Sequence, residues 1–464
     1  MLNRWKTQIF IGFSLVVAAA IPIFTGGYFS AERAQDLESQ GEYQAAAQQY
    51  AQAARWAFWR TDLAEKAGIN FAKAGDFTAS VGTFERLNKP SAEGWVWYCT
   101  SYIQLQDFPS AISVCSKGAE NEKTPVLYGL LAYVYREQGD FSAEQNTLEN
   151  QTRLDPSDAY AAYRLGMLRM LSAPENAVDE LTRASTLNLE VDSAVQTLTF
   201  AVAVAETQSD PSMKKVIIGQ AFGLVQDWEL AQEAFTQAVQ LDETNAEAWA
   251  WLGEAKQQNG QSGAVELDQA LRLDRQSVNV RALRALYWNR QQKYEQALAE
   301  YLLAAGIEPQ DPHWQVSLGD AYTKLGDLVS ALSAYQRAVE LAPTDAEYWR
   351  LLAVFCAENA VQVEEIGLPA AQQAYTIDPN NPAVLDALGH SYFLTSRFAS
   401  AEKTLMQAIE IDPGYFPAYI HIALTYLSQG NQPAAYNALT FVRDADESGA
   451  YASVAEQLLS KYFQ

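Results

Sequence analysis

A pattern of about thirty-four residues repeats along this chain and fixes the kind of fold it can adopt. The stretch HWQVSLGDAYTKLGDLVSALSAYQRAVELAPTD (His313 to Asp345) lies one period after VRALRALYWNRQQKYEQALAEYLLAAGIEPQD (Val280 to Asp311). It recurs as VLDALGHSYFLTSRFASAEKTLMQAIEIDPGY (Val384 to Tyr415). Two helical patterns per unit at a fixed period mean stacked helical pairs, each burying one face against its neighbours.

The punctuation within a unit explains why it folds. In 312–345, Leu318, Gly319 and Tyr322 share one face of a first helix. Gly326 ends that helix, because glycine adopts positive φ without steric penalty. Ala331, Tyr335 and Ala338 mark the buried face of a second helix, and Pro343 stops it. Gly319 and Ala331 are small where the two helices must approach closely. These residues resemble the tetratricopeptide repeat: a small residue, an aromatic, Ala, an aromatic, Ala and Pro at fixed places. The resemblance implies an all-α, right-handed superhelical solenoid that serves as a binding scaffold, and it leaves the partner unnamed.

In that register about twelve units start near Gly27, Thr61, Ala92, Pro125, Ala159, Ser212, Ala246, Val278, Pro312, Ala346, Pro382 and Phe416. Some depart from the pattern. Arg169 replaces an aromatic, the unit from Ala246 is short, and the unit from Ala346 is long. Cys99 and Cys115 occupy the small position and the second aromatic position of one unit. The apolar stretch 191–208 reads as a helix outside the period, which divides the repeats into blocks at 30–208 and 209–445. The segment 446–464 reads as an amphipathic capping helix.

Residues 1–29 are different material. Arg4 and Lys6 precede Ile9–Phe24, an uncharged and mostly apolar run, and no acid occurs before Glu32. Extended to Tyr28, the run is long enough for one transmembrane helix with Trp5 and Tyr28 at its interfaces. The alternative is a secretory signal cleaved after Ala18-Ala19-Ala20. Either way the basic end stays inside and the repeats are expected on the extracytoplasmic side, membrane-anchored or, after cleavage, secreted or periplasmic.

The net charge of −24 excludes nucleic acid as a partner, since binding it requires clustered Lys and Arg. Cys99 and Cys115 face each other in the repeat register, where a disulfide competes with simple burial; Cys356 reads as a core residue. His313, His390 and His421 fall in separate repeats, no metal-ligand spacing occurs, and no nucleophile or phosphate-loop motif is present. The acid pairs Glu364-Glu365 and Asp444/Asp446 read as solvated loop residues. No enzyme, cofactor, metal site or small-molecule substrate is expected.

Function must then reside on the first-helix face. Chaperone-binding tetratricopeptide domains use a lysine at the fifth position of a first helix. That position here holds Ala31, Glu65, Val96, Gly129, Tyr163, Val216, Ala250, Ala282, Val316, Arg350, Asp386 and Ile420, so the clamp is missing. Its absence also weighs against a mitochondrial import receptor. Tyr160, Tyr163, Met167 and Met170, with Tyr133 beside them, form a second apolar stripe expected to hold a partner protein or peptide. The competing assignment is packing between first helices or against 191–208. The C-terminal block is instead acidic on this face, with Glu247, Glu254, Asp320, Glu347, Glu358 and Asp386 against Arg290, Lys324 and Arg350. Two functions fit: a membrane-anchored extracytoplasmic scaffold for protein–protein interaction, or a non-catalytic accessory subunit of a membrane enzyme or exporter, for example in surface glycan assembly.

Overall fold

The computed structural model describes residues 26–463, which are helix and turn with no strand among them. The helices run α1 (26–39), α2 (Tyr43–Trp56), α3 (Thr61–Lys73), α4 (Phe77–Phe84), α5 (Ala92–Gln104), α6 (Phe108–Glu122), α7 (Pro125–Glu137), α8 (Phe141–Leu154), α9 (Ala159–Ser172), α10 (Ala177–Leu187), α11 (Asp192–Glu206), α12 (Pro211–Leu224) and α13 (Trp228–Leu241). They continue as α14 (Ala246–Gln258), α15 (Ala264–Leu273), α16 (Val278–Arg290), α17 (Tyr294–Ile307), α18 (Pro312–Lys324), α19 (Leu328–Leu341), α20 (Ala346–Glu358), α21 (Leu368–Ile377), α22 (Pro382–Leu394), α23 (Phe398–Ile411), α24 (Phe416–Ser428), α25 (Gln432–Ala445) and α26 (Ala450–Tyr462). The helix starts follow the repeat register, with Ser212 one residue inside α12. The chain is an all-α helical solenoid that divides into two compact units, one up to Ala234 and one from Phe235. The join read from the sequence lies at 208/209.

One pair shows the local physics. Asp311 caps α18 by accepting from the His313 N–H, and Gly326 turns the chain at φ +78°. Asp327 then caps α19 by accepting from the Ser330 N–H. A Cβ on Gly319 would lie 2.7 Å from the Tyr335 ring, so only glycine lets the two helices close. Tyr335 in turn stacks on Phe355 of the next pair, 4.9 Å between centroids. Asp76, Asp107 and Asp140 repeat the same second-helix cap.

Much of the acidity is structural. Asp155 and Asp242 close the turns between pairs, and the hydroxyl and N–H of Ser157 and Thr244 hold those carboxyls below their ordinary range. Two sequence assignments change here. Asp446 is not a solvated loop acid: it accepts from the backbone of Ser448, Tyr451 and Ala452 and anchors the start of α26. Asp444 lies within α25 beside Arg443, and Glu364 lies in the π-helical turn Val363–Gly367, paired with Arg397 at 3.2 Å. That extra turn accounts for the long unit. The short unit closes instead on two glycines, because a Cβ on Gly263 would overlap the Gly253 carbonyl.

Cys99 of α5 and Cys115 of α6 form a disulfide, with Cα atoms 5.2 Å apart. Cys356 is buried, which pushes its thiol up to about 12. The helix expected to lack a partner, α11, packs on α12 and also touches α9 and α10. At the other end α26 buries Ala455 and Leu459 against α25 and α24 as a cap. The anchor or signal assigned to 1–29 falls, up to residue 25, outside the described residues. Among the described residues no helix is long and apolar enough to cross a membrane.

Candidate functional site

The stripe predicted on α9 does not form one surface. Met167 and Met170 are buried, at 2 % and 0 % exposure, so their side chains are closed to a partner. Helices next along the chain lie near this face: α11 and α12 both approach α9, and Lys215 of α12 donates to the Leu171 carbonyl. Tyr163 is half-buried, and burial pushes its hydroxyl above the ordinary range. Tyr133 and Tyr160 stay exposed, at 43 % and 62 %. Tyr160 is already engaged, since Arg136 donates to its hydroxyl at 2.6 Å and lies over its ring.

Behind this face runs a buried ionic chain that the sequence reading missed. Glu144 is fully buried and accepts from Arg136 (2.7 and 2.8 Å) and from Arg164 (2.8 and 3.1 Å). Arg164, 5 % exposed, also donates to Asp227 at 2.6 Å, bridging α9 to the turn before α13. Arg169, out of pattern in its repeat, pairs with Glu149 at 3.3 Å and Glu180 at 3.1 Å. Each charge is matched in a low-dielectric setting, so these residues pin three helical pairs together rather than await a ligand.

The second unit offers an open site. A cavity of about 710 Å³ lies between the first helices α16, α18 and α20, which approach one another less closely than α20, α22 and α24 do. Asn289, Gln292 and Asn359 place amides on its wall, and Leu351, Val354 and Phe355 form an apolar floor. The acids expected to dominate here are largely matched. Glu254 binds Arg290 at 2.6 Å, Glu347 binds Arg350 at 2.6 Å, and Asp320 accepts from the Tyr335 hydroxyl. Lys324 and Glu358 are exposed on the rim and ion-pair with no other described residue. Asn289 donates to the Tyr301 hydroxyl at 3.1 Å, but its Oδ1 is buried and accepts no hydrogen bond.

Further along the same unit, His390 of α22 and His421 of α24 stack with ring centroids 3.9 Å apart. His421 Nδ1 lies 2.7 Å from buried Asp386. Burial, with the neighbouring imidazole second, pushes His390 down to about 3, so it is neutral at ordinary pH. Burial and Asp386 push Tyr415 up to about 12. Sequence reading set these histidines apart because they are in different repeats. The usable signal was their separation of nearly one period, which places side chains of adjacent first helices together. Among the described residues no cluster is able to hold a metal ion.

Models of the tetratricopeptide repeat match residues 126–158, 289–354 and 383–415, so the cavity falls largely within recognised repeats. The chain is 35 % identical over 92 residues to the PEX5-related protein of Mus musculus, covering 20 % of this chain and 16 % of that one. It is 25 % identical over 230 residues to tetratricopeptide repeat protein 37 of Xenopus laevis, covering 47 % of this chain and 13 % of that one. It therefore spans about a sixth or less of these relatives. Among solved structures it is similar to yeast Tom70, at 14 % identity and a TM-score of 0.43, covering 80 % of this chain and 96 % of that one. The chain thus carries tetratricopeptide repeats over the residues that those models match.

Proposed function

We propose that this protein is a non-catalytic scaffold of the cell envelope. In this reading it is anchored through residues 1–29, with its repeats on the extracytoplasmic side, and holds an extended segment of a partner protein in the cavity between α16, α18 and α20. The observation that carries the reading is the makeup of that cavity. Side-chain amides of Gln292 and Asn359 suit a peptide backbone, the apolar floor takes a side chain, and Lys324 and Glu358 offer one charge of each sign to a partner's ends or side chains. The Cys99–Cys115 disulfide supports the compartment, since such bonds persist where the surroundings are oxidising. The apolar run Ile9–Phe24 behind Arg4 and Lys6 supports the anchor.

The test is a photo-crosslinking residue placed at Val354 in cells. One discrete crosslinked protein, lost in a Lys324→Glu, Glu358→Lys variant with unchanged circular dichroism, is the expected result. Crosslinking that ignores the charge reversal overturns the cavity as the binding site. Protease added to intact cells, with any outer membrane opened, digests the repeats if the topology is right; full protection refutes it.

A further inference from the structure

The first two repeats differ from the rest in charge and surface. Residues 26–91 hold seven basic and eight acidic side chains, so they are close to neutral and the acidic excess of the chain, net −24 in all, lies after them. At one end of the first pair, the opening turn of α1 lies against the α2–α3 turn. A Cβ on Gly27 would sit 3.4 Å from the Trp56 Cβ, and one on Gly26 would sit 3.8 Å from the Trp56 ring. That end presents Tyr28 and Phe29 at 65 % exposure each, Phe58 at 79 %, Trp59 at 48 % and Trp56 at 42 %. Beside it opens a cavity of about 560 Å³ with Ala54, Ala64 and Phe71 inside and Arg55, Arg60 and Arg86 among its lining. Arg60 pairs with Asp62 at 2.6 Å, whereas Arg55 and Arg86 ion-pair with no other described residue.

We propose that this end of the first repeat pair docks on the membrane–water interface, with its aromatic rings at headgroup depth and an anionic phospholipid headgroup between Arg55 and Arg86. The proposal rests on the anchored reading, because the apolar run ends at Phe24 and α1 is helical from residue 26. With almost no chain between them, the start of α1 is held within a few ångströms of the bilayer surface. Whatever it exposes there must suit that medium. Trp, Tyr and Phe are amphipathic or apolar rings suited to the interface, and guanidinium matches phosphate geometry. The acidity of the later repeats opposes contact with anionic lipid, and these two repeats are free of that excess.

The experiment uses the full chain with Phe58→Cys carrying an environment-sensitive NBD fluorophore. Cys356 is buried and the other two cysteines are bonded, so the new thiol is the reactive one. The protein is reconstituted in phosphatidylcholine vesicles containing phosphatidylglycerol and acyl-chain nitroxide. The Phe58→Cys probe is expected to be blue-shifted and quenched, while a probe at Val329→Cys, which is 82 % exposed on α19, is neither. Arg55→Ala and Arg86→Ala should each lower the docked-to-undocked ratio about fivefold. If the chain resists alkaline extraction yet the Phe58→Cys probe behaves like the Val329→Cys control, docking is refuted and the anchor stands. Release of the chain by alkaline carbonate refutes the anchor and the docking with it. A blue shift without nitroxide quenching assigns the patch to a protein contact and also overturns the proposal.

Discussion

Glu144→Gln tests whether the buried ionic chain holds the N-terminal unit together. The substitution keeps the volume and removes one negative charge that Arg136 and Arg164 share. Breaking a buried pair costs about 3–5 kcal/mol, because a desolvated charge is left behind. Two features place this case at the low end. Asp227 still neutralises Arg164 at 2.6 Å, and the Arg136 side chain is 21 % exposed and able to turn toward water. A loss of about 3 kcal/mol corresponds to more than a hundredfold in an opening equilibrium. Because a repeat array need not unfold in one step, a single melting temperature is a poor reporter. Native-state hydrogen exchange of the α7–α10 amides reads the local opening directly, and protection there should fall by about a hundredfold. The double variant Glu144→Leu, Arg164→Met removes both buried charges and should regain most of the loss. Protection changed less than threefold in Glu144→Gln would refute the argument. A double variant as weak as the single one would show that shape, not charge, is what the site supplies.

Three further outcomes follow from the same geometry. Alkylation of the denatured, unreduced chain should modify one thiol, Cys356, and reduction should expose two more; Cys99→Ser should cost about 3 kcal/mol locally, given a sequence separation of 16. Because folding lowers His390 from its ordinary 6.5 to about 3, the unfolded chain takes up the proton first, so stability of the α22–α24 region is full above pH 6.5 and falls below it. The loss is about 1.4 kcal/mol per pH unit, or about 2 kcal/mol at pH 5, in urea titrations; an equal loss in His390→Leu would refute the assignment. Met170→Ala should cost about 2–5 kcal/mol as a core truncation, while Tyr160→Ser should cost less than about 1 kcal/mol by the same measurement.

The parts of the fold legible in the sequence were those enforced at every repeat. The Gly319–Tyr335 contact recurs as Gly389 against Leu405 and Gly166 against Leu181, so each instance confirms the register of the others. The missed parts depend on the third coordinate of the array. Periodicity places Met167 and Met170 on a first-helix face, but it does not show that α11 and α12 approach α9. An irregular helix has no register from which its neighbours follow. The same limit hid Arg164–Asp227, whose partners are 63 residues apart and separated by that irregular helix. His390 and His421 were recoverable, because they lie close to one period apart within regular units.

Charge shows the same division between what composition says and what position says. A net −24 suggests a uniformly acidic surface that attracts basic partners. Position removes much of that inference. Asp76, Asp107, Asp140, Asp311 and Asp327 are helix caps, and Asp155, Asp242 and Asp446 hold turns, all accepting from backbone N–H groups. Glu144, Glu254 and Glu300 are spent on arginines. The repeat architecture itself consumes acids, because each helical pair has two helix starts and carboxylates satisfy N–H groups there. At the two cavities the charges left to act on a partner are Lys324 and Glu358 at one, and Arg55 and Arg86 at the other. Selectivity at the cavities is therefore expected to follow these charges, and salt should weaken binding at them without loosening the buried pairs.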